Sequence, residues 1–111
     1  MPQAQNQDQQ IVLINTFTLK PENADALLVV LAEATETVMR HRPGFVSATF
    51  HLSLDRTHVA NYARWRSKAD FDATMSDPTA KKHMGKAVAL AERFEPILYS
   101  AAAHDEQRAA P

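Results

Sequence analysis

The apolar and polar positions of the chain change period several times, and each change marks an element. The run IVLINTFTLK from Ile11 is rich in β-branched and aromatic residues and is stopped by Pro21, which predicts a first strand. From Asn23 the positions Ala24, Leu27, Leu28, Leu31, Thr35 and Val38 fall three and four apart. That is the spacing of an amphipathic helix, here of about four turns, ending near the HRPG segment at His41. Two strand-like runs follow, GFVSATFHLSLD from Gly44 and HVANYARWRS from His58, joined by a polar link with Asp55, Arg56 and Thr57; they predict a hairpin. Ser67 three residues before Asp70 is a capping signal, and Phe71, Thr74 and Met75 then share a helical face. Asp77 before Pro78 opens a further helix with an N-cap acid and a proline in the first turn, and Ala80, Met84, Ala87, Val88 and Ala91 form its stripe. EPILYSAAA closes the pattern as a short strand, with Pro96 favouring an edge or a strand start.

Strand, helix, strand, strand, helix pair, strand is the split βαβ plan: an α+β, ferredoxin-like βαββαβ subunit. Two helical segments cover one face of a four-stranded sheet, yet the strands carry apolar residues on both parities. Ile11 and Leu13 oppose Val12 and Ile14, and Phe45 opposes Val46 and Phe50. The second face therefore needs a cover, and a second copy of the same sheet supplies it. The expectation is a homodimer closed as a dimeric α/β barrel. The domain is expected over 10–102, with a glutamine-rich polar tail over 1–9 and a second tail without apolar period over 103–111.

Composition narrows the function classes. With 111 residues, 45% hydrophobic and 23% charged, the chain reads as one ordinary globular domain. Its net charge of -1, with both signs interspersed, lacks the field a nucleic-acid binder needs. There is no cysteine, which removes disulfides, thiolate metal sites and a thiol nucleophile. No apolar run approaches a membrane span and no leader pattern stands at the start, so the expected location is cytoplasmic and no membrane partner is expected. Two glycines, Gly44 and Gly85, cannot build a phosphate-cradling loop. The histidines His41, His51, His58, His83 and His104 show no metal-ligand spacing, and no serine elbow is present.

What remains is the strand from His58. Asn61, Ala63 and Trp65 share one face of it, while Ala60, Tyr62, Arg64 and Arg66 share the other. An amide and the only tryptophan in one row admit two readings. They are a hydrogen-bonded core amide beside a core anchor, or they are oriented N–H donors in a pocket between sheet and helices. Such donors, with His51 on the neighbouring strand, stabilise negative charge on an aromatic oxygen or on reduced dioxygen.

At PGFVSATFH and VANYARWRSKADF, between Pro43 and Phe71, the chain resembles the antibiotic biosynthesis monooxygenase family, in particular the anthrone monooxygenases of aromatic polyketide pathways. The resemblance implies a dimer of ferredoxin-like subunits that oxidises a phenolic or polycyclic, anthrone-like substrate to a quinone. Dioxygen is the co-substrate, and there is no metal, flavin or haem. It also implies that Asn61 and Trp65 hold the carbonyl and the developing anion, and that His51, Phe71 and Lys86 contact the substrate. The family's pocket tyrosine, a proton relay, falls on Phe71, and its pocket arginine falls on Gly85, next to Lys86. A second resemblance, to haem-degrading monooxygenases of the same superfamily, puts a first-strand asparagine at Asn15 and a haem-ligating histidine at His83, with Ala73 where that group has its tryptophan. A non-catalytic dimeric small-molecule-binding protein of the same fold is the third reading, favoured by Phe71 and Gly85.

Overall fold

The computed structural model describes residues 10–100. The expected tails, His104 and the end of the last strand beyond Ser100 lie outside them. Strand β1 (Ile11–Thr18) leads through a short 3-10 turn at Pro21–Asn23 into helix α1 (Ala24–Thr37). A second 3-10 turn, Met39–His41, precedes the hairpin β2 (Phe45–Leu52) and β3 (His58–Trp65). Helices α2 (Lys68–Met75) and α3 (Pro78–Ala89) follow, then β4 (Arg93–Ser100). The sheet order is β2-β3-β1-β4 with every neighbour antiparallel, the ferredoxin-like α+β arrangement.

Local chemistry sets the joints. The Ser67 hydroxyl accepts from the Asp70 backbone N–H, and the Asp77 carboxylate accepts from the N–H groups of Thr79 and Ala80, so α2 and α3 are both capped where the sequence signals it. Helix α1 stops at Thr37, short of HRPG, because Val38 leaves helical geometry at φ -125 and ψ -62 and the chain tightens into the 3-10 turn. Gly44 has φ +86, and a Cβ there would overlap the Asp70 side chain, so only glycine fits where the chain enters β2. Strand β4 begins at Arg93, two residues before the expected EPILYSAAA run, and holds Pro96 in its interior. The missing N–H is tolerated because β4 is an edge strand paired only with β1.

Residues directly opposite one another in the register form four rows on the helix-covered face. They are Phe45, Trp65, Ile11 and Ser100; Ala48, Ala63, Leu13 and Leu98; Phe50, Asn61, Asn15 and Pro96; and Leu52, Val59, Phe17 and Phe94. The core lies between this face and the helices in two clusters. One gathers Phe17, Leu27, Leu31, Val59 and Ala87; the other gathers Leu13, Met39, Ala63, Trp65 and Ala80. The opposite face has no helix. Tyr62, Ile97 and Tyr99 on it are 38%, 42% and 44% exposed.

A register shift between Phe45 and Ser47 decides what each face carries. Strict alternation from Phe45 would keep His51 on the same side as Phe45. The bulge instead aligns Phe45 with Ala48, Phe50 and Leu52, and sends Ser47, Thr49 and His51 to the open face.

Candidate active site

Between the second core cluster and the three helices lies a cavity of about 300 Å³. Its floor comes from three of the four rows: Phe45 and Trp65, then Ala48, Ala63 and Leu13, then Asn61, Asn15 and Pro96. Its roof and sides are Thr35 of α1, Met39, Phe71 and Met75 of α2, and Met84 of α3, with Phe94 at the β4 edge. Apolar walls with a few convergent polar groups are the usual make-up of a small-molecule site.

Two features give this cavity its chemistry. The first is the asparagine pair. Asn15 and Asn61 are direct partners across β1 and β3, Asn15 is only 2% exposed, and the Oδ1 atom of each is buried without a hydrogen-bond partner. An unpaired buried amide oxygen costs roughly 1–3 kcal/mol, and two side by side in one sheet row are not explained by folding. The second is an aromatic wall. Trp65 is buried, with Phe45 edge-on at 5.4 Å and Phe71 edge-on at 5.9 Å between ring centroids. These T-shaped contacts help fix the indole in place.

No titratable side chain lines the cavity among the described residues. The carboxylate most displaced from its ordinary range is Asp55, far from this site in the β2–β3 turn. Hydrogen bonds from the Thr57 and Ser53 side chains and from the Thr57 backbone N–H lower it to about 2. Among the described residues, no cluster of three His, Asp or Glu side chains is placed to hold a metal ion.

The structure thus brings Asn61, Trp65 and Phe71 together and adds Asn15 to them. His51 is not in the wall: it pairs with Ala60, one residue from Asn61, and is exposed on the open face. Lys86 is exposed on α3 and does not line the cavity, and no atom lies within 4 Å of a Cβ built at Gly85, so that helix position faces open space. His83 is half-buried on α3 but is not in the wall either, so Asn15 meets Asn61 and not an imidazole. The present residues do not fit an axially ligated haem in this cavity. Sequence reasoning placed Met75 and Met84 on the packed helix faces and Ala63 in the row of Asn61 and Trp65, but missed Met39 and Ala48 as parts of the wall. For Asn15 a signal existed, an amide on an otherwise apolar strand.

A four-stranded antiparallel sheet with helices on one face, enclosing an apolar cavity lined with amides and an indole, defines a ferredoxin-like α+β domain with a candidate small-molecule site. The chain belongs to the antibiotic biosynthesis monooxygenase family, whose model matches residues 10–86. It is 52% identical over 71 residues to tetracenomycin-F1 monooxygenase of Streptomyces glaucescens, a match spanning 64% of this chain and 63% of that protein, less than two thirds of the relative's length. ActVA-Orf6, a monooxygenase of Streptomyces coelicolor solved with nanaomycin D, superposes with a TM-score of 0.82 at 24% identity, over 91% of this chain and 95% of its own. A variant of SnoaB, a cofactor-independent oxygenase of Streptomyces nogalater, superposes with a TM-score of 0.78 at 23% identity, over 86% and 96%. At those identities the two structures speak for the fold.

Proposed function

We propose that the protein is a cofactor-independent monooxygenase that oxidises a phenolic or polycyclic aromatic, anthrone-like substrate to a quinone with dioxygen. The observation that carries this reading is the Asn15–Asn61 amide pair beside Trp65 in an otherwise apolar cavity. The names of the relative and of the structural neighbours support the same direction.

The chemistry follows from the wall. An anthrone-type substrate loses one proton to give an electron-rich anion. With no titratable group in the described wall, water accepts that proton. The amide and indole N–H groups stabilise the anion's oxygen and so lower the substrate's own pKa, as preorganised donors in a water-poor site do. The anion gives its electrons to dioxygen and a carbon–oxygen bond forms, and the resulting peroxide anion takes a proton back from water to give a substrate hydroperoxide. Loss of water then leaves the carbonyl, so one oxygen atom enters the product and the other leaves as water.

The reading carries a homodimer with it: the exposed Tyr62, Ile97 and Tyr99 on the helix-free sheet face form a surface a second copy can cover. No helix among the described residues is long and apolar enough to cross a membrane, and a cytoplasmic location is part of the proposal.

The test is direct. Chelator-treated protein is mixed with dithranol in air, with quinone absorbance and oxygen consumption followed together. The expected result is acceleration over buffer that is lost in Asn61→Ala and reduced in Trp65→Phe. Dithranol binding without oxygen uptake would leave a non-catalytic binding protein in its place.

A further inference from the structure

Helix α2 turns two neighbouring faces to different partners. Phe71 and Met75, four residues apart, line the cavity. Asp70 and Thr74, also four apart and one residue earlier in each turn, meet the segment 42–44, which lies outside the wall. The Asp70 side chain fills the space a Cβ would take at Gly44. One turn later, Arg42 donates from Nε to the Thr74 hydroxyl at 3.3 Å. Thr74 is the one buried residue of this eight-residue helix, so its hydroxyl has to be met by a protein group. Arg42 Nη1 also stands 3.6 Å from Asp77 Oδ1, while Oδ2 of the same carboxylate caps α3. The Arg42 backbone N–H donates to the Met39 carbonyl. One residue thus joins the Met39 turn, α2 and the start of α3, the pieces that carry the roof residues Met39, Phe71, Met75 and Met84.

We infer that Arg42 is a positioning residue of the site. Together with Gly44 it fixes the rotation of α2 about its own axis, and so holds Phe71 against Trp65 and Met75 in the roof. Successive helix residues point about 100° apart, so a modest turn of α2 carries Phe71 off the indole. Without the guanidinium the buried Thr74 hydroxyl loses its donor, and the innermost anchor of α2 is gone. The proposal rests on the reading of the cavity as the substrate site, and Arg42 acts on it through the shape of the wall, not by touching the reacting atoms.

The single tryptophan tests it without substrate. Trp65 is buried, so acrylamide quenching of its emission reports whether Phe71 still covers it. The Stern–Volmer constant is measured for the wild type, Arg42→Met, Arg42→Lys and Thr74→Val, with thermal melts showing that each protein is folded. It should rise at least about twofold in Arg42→Met and in Thr74→Val, with Arg42→Lys, which keeps the charge facing Asp77, in between. Valine keeps the shape of threonine, so Thr74→Val stands if Arg42→Met melts too low. Asp55→Asn, altered in the β2–β3 turn away from α2, is the control and should leave quenching unchanged. In dithranol oxidation KM should rise about tenfold in Arg42→Met with kcat within about twofold, because the wall loosens while the amides stay in place. Quenching equal to wild type in folded Arg42→Met and Thr74→Val overturns the proposal, as does an equal rise in Asp55→Asn or a fall in kcat at unchanged KM. Quenching that rises in a protein that oxidises no dithranol keeps the positioning role and removes the oxygenase reading.

Discussion

Asn15 and Asn61 face each other across the central strand pair, on the same side of the sheet, and neither amide oxygen has a hydrogen-bond partner. A polar pair left open in a buried row is a strain on the fold and an asset for binding. That conflict yields the first expectation. Replacing Asn15 by valine removes an orphaned polar group and installs a strong strand former, so stability to urea should rise by about 1–3 kcal/mol. Quinone formation should fall by about 10²–10³ in kcat, the usual cost of one preorganised donor. Opposite movements of stability and rate in one variant are the signature; a loss of both would mark Asn15 as structural.

His51→Ala separates geometry from family likeness. Because His51 lies on the open face, quinone formation per folded protein should stay within about twofold of wild type. A loss of kcat on the scale of Asn61→Ala would put the imidazole back at the reacting centre. Steady-state kinetics with dithranol measures both.

Gly44→Ala should destabilise by at least about 1 kcal/mol, since alanine is strained at positive φ and its Cβ also meets Asp70. Thermal and urea melts read the change. Gly85→Ala is the control on the same two melts, expected to stabilise slightly because the helix position is open and alanine is the better helix former.

The Asp55 turn gives an acid dependence. Its carboxyl is lowered to about 2, first by the Thr57 hydroxyl, then by Ser53 and the Thr57 N–H. In the unfolded chain it returns to its ordinary value near 3.8. The folded form therefore holds fewer protons between these values, and the turn's contribution is present above about pH 4 and lost as pH falls through about 2. Asp55→Asn should melt below wild type at neutral pH and converge with it at pH 2. A gap that persists at pH 2 would trace the effect to packing rather than ionisation.

Ile97→Glu should weaken self-association, because it sets a charge among the exposed Tyr62, Ile97 and Tyr99 side chains of the helix-free face. Sedimentation against concentration is the measurement. A wild type that stays monomeric at all concentrations would remove the dimer from the proposal.

Much of this was legible in the sequence. The β-branched and aromatic bias of β1, the strand-like run of β3, the three-and-four spacing in α1, and the caps at Ser67 and Asp77 are local signals. Each depends on residues within a few positions of one another, so the βαββαβ order and the shared face of Asn61, Ala63 and Trp65 could be read directly. Three things could not. The bulge after Phe45 moved His51 to the other face, and a one-residue shift leaves almost no mark in composition. The partnership of Asn15 with Asn61 joins residues 46 positions apart, and only strand register brings them together. The cavity itself is space left between α1, α2, α3 and the sheet, where small alanines below and flexible methionines above fail to meet. By itself the sequence determined which elements form and which side chains share a strand face, because those follow from backbone periodicity. The tertiary structure alone decided which amides meet, which histidine stays outside and where room remains, because register and helix packing are fixed only by contacts between distant segments.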